Sequence, residues 1–115
     1  MKKVKIFLKK RKICTAILCS TFFERMFGLI LRKKQSALIV LPKVSRSLAA
    51  IHTFFMLFSI DAFWLDKNKT IVDVAKNIRP FCLSVVPKED AKFILETPAR
   101  IADLKIGDRL KFIVD

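Results

Sequence analysis

The chain has 115 residues, a net charge of +13 and 53% hydrophobic residues, with 11 phenylalanines, no tyrosine and two glycines. That length fits a single domain over residues 1–115 with one core, and makes a multidomain enzyme an unsuitable reading. The charge is uneven: eleven of the Lys and Arg residues and one acid fall in residues 1–34, so that end can attract a small anion or a polyanion.

Residues 3–8 alternate, with Val4 and Ile6 against Lys3 and Lys5, which predicts a strand with one wet and one dry face. The cluster Lys9-Lys10-Arg11-Lys12 cannot be buried and predicts a turn, with a return strand over 13–19. Residues 1–12 thus form a basic strand and turn. Thr21-x-x-Glu24 has the form of a capping box, and Phe22, Phe23, Met26, Phe27 and Ile30 follow at helical spacing. Gly28 ends or tightens that helix, and Arg32-Lys33-Lys34 supplies cations where a helix C-terminus favours them. Residues 37–41 read as a strand ended by Pro42, and residues 51–58 and 62–65 as two more strands. Asp66-Lys67-Asn68-Lys69 is a hairpin turn, with Asn68 suited to positive φ. Residues 70–78 form its return strand, stopped by Arg79-Pro80. An apolar run over 81–86, a strand over 92–96, a helical turn or loop over 98–105, a turn at Gly107-Asp108 and a strand over 109–114 complete the chain. The expectation is a mainly β domain, sandwich or barrel-like, with about eight short strands and one or two short helices.

Mean hydropathy is high, at +0.37, so a membrane reading needs its own test. Residues 48–65 are 18 long with one acid, near the minimum for a spanning helix. Asp61 and His52 lie inside that piece, and a central acid costs about 2.5–3.5 kcal/mol on insertion. No transmembrane segment is therefore expected. The N-terminal Met1-Lys2-Lys3 is followed by an apolar run too broken for a signal peptide, so a cytoplasmic location is expected. Three cysteines, with Cys14 and Cys19 separated by four residues, match no zinc pair, and no metal site is expected.

No catalytic motif is recognisable: there is no phosphate loop, nucleotide fingerprint or nucleophile motif, and no cofactor is implied. The candidate polar pocket is Arg25, Arg32, His52, Asp61 and Arg79. Asp61 heads it because a carboxylate in so apolar a run needs a partner, for which Arg25 or Arg32 would serve. Trp64 and Phe81 are candidate stacking surfaces. The basic patch comprises Lys2, Lys3, Lys5, Lys9, Lys10, Arg11 and Lys12.

Several short motifs, in order, resemble the domain of unknown function 192 family in its short archaeal-type form. They are the Thr21-x3-Arg25-x2-Gly28-Leu29-x2-Arg32 run, Ile51-His52-Thr53-Phe54-Phe55-Met56 with Ile60-Asp61 and Leu65-Asp66, Arg79-Pro80-Phe81, Leu95-Glu96-x-Pro98-Ala99, and Gly107-Asp108. The resemblance covers roughly residues 15–112. It departs at Ser59, where proline is usual, at Ile30, where a methionine often follows Gly28-Leu29, at Arg100, where glycine commonly follows Pro-Ala, and over 44–50, which is longer and less regular. The resemblance implies a compact, mostly β domain and no established activity. The functional expectation is a non-enzymatic ligand-binding or interaction module. The alternatives are a small enzyme using His52 with Asp61, and a weak non-specific nucleic-acid binder through the basic N-terminus.

Overall fold

The structure, a computed structural model, describes residues 2–21, 24, 34–53, 56–82 and 84–114. Seven strands fill most of that chain: β1 (Lys3–Leu8), β2 (Arg11–Cys19), β3 (Ser36–Ser45), β4 (Ile60–Leu65), β5 (Ile71–Ile78), β6 (Ala91–Pro98) and β7 (Leu110–Val114). They form one sheet in the order β5-β4-β6-β3-β2-β1-β7. All neighbours are antiparallel except β2 and β3, which are parallel.

The sheet curls into a half-barrel. One apolar cluster draws Val4, Ile6, Ala16, Leu38, Phe63, Leu65, Ile71, Leu95 and Leu110 from all seven strands, and so marks the concave side. Ala102 and Leu104, from the segment between β6 and β7, pack into the same cluster. The two edge strands meet at one end only. Ile71 donates its amide to Asp108, Leu110 donates to Lys69 and Gly107 donates to Ile71, beside a bridge between Thr70 and Arg109. Gly107 sits there at φ 97, a backbone region that side chains disfavour.

Bulges supply the curvature, since an extra residue in one strand bends it and increases its twist. The β1–β2 register skips Ile13, and the β4–β5 register shifts between Ile60 and Ala62 and again between Trp64 and Leu65. Asn77 lies in the first of those β5 bulges at φ 51.

The convex side carries the second cluster. Ile17, Ala37, Ile39, Ile60, Ala62, Trp64 and Ile94 face outward, and Ala49, Ile51 and Met56 from the β3–β4 connection pack over them, with Cys82 and Val85 from the β5–β6 connection. This explains where the sequence reading over 51–58 departs from the structure. Ile51, Thr53 and Met56 are buried at alternate or near-alternate positions, yet the segment is a cover touching Val85 at a single bridge. The run over 81–86 is its counterpart and not a strand.

Pro42 does not end β3. The strand continues to Ser45, and Pro42 falls where the β3–β6 register shifts between Val40 and Ser45, so its missing N–H breaks no regular ladder bond. In the β4–β5 turn the positive φ falls on Lys69 rather than Asn68, while Asp66 holds the amides of Asn68 and Thr70 at 2.9 and 3.0 Å. The capping box forms as read: Glu24 donates its amide to Thr21 Oγ1 at 3.1 Å, and its carboxylate accepts from the amides of Ser20 and Thr21. The helical stripe beyond it, with Gly28 and Arg32, lies outside the described residues.

Candidate functional site

Asp61 occupies β4 in phase with Phe63 and Leu65, so its carboxylate is on the concave side, at one end of the curl. It is 1% exposed. Oδ1 accepts from the Asn77 amide at 2.7 Å, and Oδ2 accepts from the Arg100 amide at 3.0 Å. Lys76 Nζ stands 3.9 Å from Oδ2 and 5.0 Å from the Phe63 ring centroid. Asn77 and Arg100 both have left-handed backbone, at φ 51 and 71. The carboxylate therefore ties two strained backbone segments to β4. The arginines expected to serve it, Arg25 and Arg32, lie outside the described residues.

Trp64 is a core residue. It is 1% exposed and its indole N–H donates to the Ala49 carbonyl at 2.8 Å, which anchors the β3–β4 cover to the sheet and leaves no ring face for stacking. The other three residues do come together. Thr53, fully buried, donates its amide to Cys82 at 2.9 Å, and its carbonyl accepts from Phe81 at 2.8 Å and Met56 at 3.0 Å. Its hydroxyl donates to the Arg79 carbonyl at 2.6 Å and accepts from the Cys82 amide at 3.0 Å. These bonds fasten the turn 79–82 against the cover, where Ile51 and Val85 exchange both backbone bonds. His52, between the pinned Ile51 and Thr53, is exposed, as is Arg79. Phe81 stands at φ 69 and is 67% exposed. His52 lies on the convex side and Asp61 on the concave side of the sheet, so the two do not converge in one cleft.

The basic patch divides between a face and a cleft. On the convex side of the hairpin, Lys3 and Lys5 lie in phase with Thr15 and Ile17, and Phe7 is flanked by Lys12 and Lys111. The convex apolar cluster draws no residue from β1 or β7, so no described segment packs over this end of the sheet. Around the hairpin turn, Lys9, Lys10, Arg11 and Lys105 line a cleft of about 550 Å³ with Asp103 and Asp108.

One group was missed in the sequence. Glu96, on β6, is 5% exposed. Burial pushes its carboxyl up to about 7 from the ordinary 4.5, because a charge is disfavoured where water is excluded. Its only signal was a carboxylate inside a strand whose other residues are nearly all apolar. The three cysteines are free thiols. Burial raises Cys14, with a smaller opposing effect from Ser36, so it is not an activated nucleophile. Among the described residues no three His, Cys, Asp or Glu side chains gather as metal ligands, and no helix is long and apolar enough to cross a membrane.

Comparison with known structures returns the same overall fold. A solved structure described as a candidate transcription regulator from Sinorhizobium meliloti superposes with a TM-score of 0.84 at 18% identity, covering 96% of this chain and 92% of that one. A protein of unknown function from Novosphingobium aromaticivorans gives 0.77 at 16% identity, covering 95% and 83%. The chain belongs to the DUF192 family, described as "Uncharacterized ACR", whose model matches residues 4–112. That span takes in the basic β1, which the sequence resemblance had left out. Among its relatives, a UPF0127 protein of Pyrococcus abyssi is 41% identical over 100 residues, covering 84% of each chain. One of Thermococcus sibiricus is 40% identical over 103 residues, covering 85% of this chain and 66% of that one.

Proposed function

We propose that the protein is a non-enzymatic binding module whose recognition element is the turn 79–82, with Phe81 as the apolar contact and Arg79 and His52 as the polar ones. The observation that carries this reading is Phe81 itself. A bulky residue in left-handed backbone is strained by about 1–2 kcal/mol, and its ring is displayed rather than buried. Four hydrogen bonds between one buried threonine and the turn hold it there. Folding alone gains little from such an arrangement, whereas a preorganised aromatic beside a guanidinium suits a small ligand with a flat apolar part and a negative charge. The test is a thermal-shift ligand screen on the whole chain, where a native-state ligand raises the Tm by mass action. Hits should lose most of their effect with Phe81→Ala and with Arg79→Ala. Hits that bind both variants as tightly as the parent overturn the reading.

A second reading is supported by the open basic face of β1 and β7. Lys3, Lys5, Lys12 and Lys111 interleaved with Phe7 and Ile113 suit a phosphate backbone, with no element built to read bases. Binding to nucleic acid should be weak, independent of sequence and steeply salt-dependent, as counterions are released. Charge reversal at Lys3, Lys12 and Lys111 should abolish it. Sequence-selective binding that salt does not weaken would refute it.

A further inference from the structure

The cleft beside the hairpin turn has fixed backbone on both sides. On one side Lys9 and Lys10 form the two-residue turn between β1 and β2, closed by the Leu8–Arg11 pair. On the other, Lys105 and Asp108 bracket a second turn: the Asp108 amide donates to the Lys105 carbonyl at 3.1 Å, and the Lys105 amide donates to Asp108 Oδ2 at 3.0 Å. That turn is itself held to β5, where Ile71 donates its amide to the Asp108 carbonyl at 2.8 Å. The volume between these walls, about 550 Å³, is that of a small-molecule site. Four cations line it against two carboxylates. Among the described residues none of those cations pairs with a carboxylate; the ion pair that does form joins Lys76 to Asp61, elsewhere. Lys9 also holds its place in the turn at φ 57, where glycine or asparagine is less strained. Like charges gathered on rigid turns and a strained lysine both act against folding. An anion shared by the four cations offsets both.

We propose that this cleft binds a small phosphorylated sugar or polyol. The lysines and Arg11 take the phosphate group, through charge-assisted hydrogen bonds. The two carboxylates decide the rest of the ligand, since they repel a compact polyanion and accept hydrogen bonds from hydroxyl groups. Asp108 accepts the Lys105 amide through Oδ2, which leaves Oδ1 for a hydroxyl, and Asp103 offers a second acceptor from the same lining. Leu8, packed against the concave cluster, adds apolar surface for the carbon skeleton. A phosphate ester with free hydroxyls matches all three parts of the lining, whereas inorganic phosphate matches one. The site shares no residue with the Phe81 turn, or with Lys3, Lys12 and Lys111 of the open basic face.

The test titrates the whole chain by calorimetry, at constant ionic strength, with ribose 5-phosphate, inorganic phosphate and ribose. Ribose 5-phosphate should bind saturably and about tenfold or more tighter than inorganic phosphate, and ribose should give no heat of binding. Replacing two exposed side chains together, Lys10→Ser with Lys105→Ser, should weaken ribose 5-phosphate by about tenfold or more and leave the Tm near that of the parent. Lys9→Gly removes strain along with a cation, so it should bind more weakly while melting higher, which a misfolded variant cannot do. Phe81→Ala and Lys3→Ser should bind as the parent does, which separates this site from the aromatic turn and from the nucleic-acid face. No binding of ribose 5-phosphate by the parent protein overturns the proposal. So does an equal affinity for inorganic phosphate, or undiminished binding in the Lys10 and Lys105 double variant.

Discussion

Left-handed backbone at Asn77, Phe81 and Arg100 is held in place by two buried side chains, Asp61 and Thr53. Removing either the strain or its holder should move stability in opposite directions. Arg100 stands where the family commonly has glycine, and its φ of 71 explains why. Arg100→Gly, which keeps the amide that Asp61 accepts from, should raise stability by about 0.5–1 kcal/mol in chemical denaturation. Asp61→Asn leaves one of two backbone amides without its acceptor and should lower stability by about 2 kcal/mol, with the affinity of any ligand at the Phe81 turn unchanged. Phe81→Gly separates structure from function at a single position. It should stabilise the fold by about 0.5–1 kcal/mol while abolishing the thermal shift given by ligands of that turn. A loss of stability in Phe81→Gly would mean that the ring serves packing.

The elements were legible where local chemistry alone decides them. Alternation fixed β1 and β7, Asp66 fixed the β4–β5 turn, and the Thr21-x-x-Glu24 spacing fixed the reciprocal hydrogen bonds of the capping box. Thr21→Ala should accordingly cost about 1 kcal/mol in a denaturation midpoint comparison. Other assignments depended on what a segment meets. Ile51, Thr53 and Met56 present the same apolar spacing whether they pair in a sheet or lie over one, and only the convex face beneath them decides. Trp64 read as a stacking surface because an aromatic gives no sign in sequence of which way it points; its bond to Ala49 does. Glu96 escaped notice because β6 is buried on both faces, so no alternation sets the acid apart.

For the molecule as a whole, Glu96 sets a pH dependence with a definite sign. Between pH 4.5 and about 7 the folded chain keeps a proton that the unfolded chain has released. Its contribution is therefore intact below the unfolded value and lost as pH rises through the folded one. That interval converts, at roughly 1.4 kcal/mol per pH unit, to a loss of up to about 3 kcal/mol. Denaturation of the parent protein should show stability declining across this window, and Glu96→Gln should remove the decline. Glu24 works the other way: the amides of Thr21 and Ser20 hold its carboxyl below the usual range, so its contribution is lost at low pH. The comparison with Glu96→Gln at matched pH isolates the buried acid.

The pairing of β1 with β7 has a kinetic consequence. Lys5 meets Ile113 across nearly the whole chain, and contacts so distant in sequence form slowly, which places folding in the millisecond-to-second range typical of β topologies. The seam from Lys69–Ile71 to Gly107–Leu110 closes over a shorter separation, about 40 residues. Substitutions there should speed unfolding and leave the refolding rate nearly unchanged, provided the seam forms after the rate-limiting step. During synthesis the seven cations of residues 2–12 are made well before the strand that closes on them. Until Lys111 and Ile113 arrive, the hairpin carries an unclosed edge whose cations repel one another, and the sheet cannot be completed before its last strand exists.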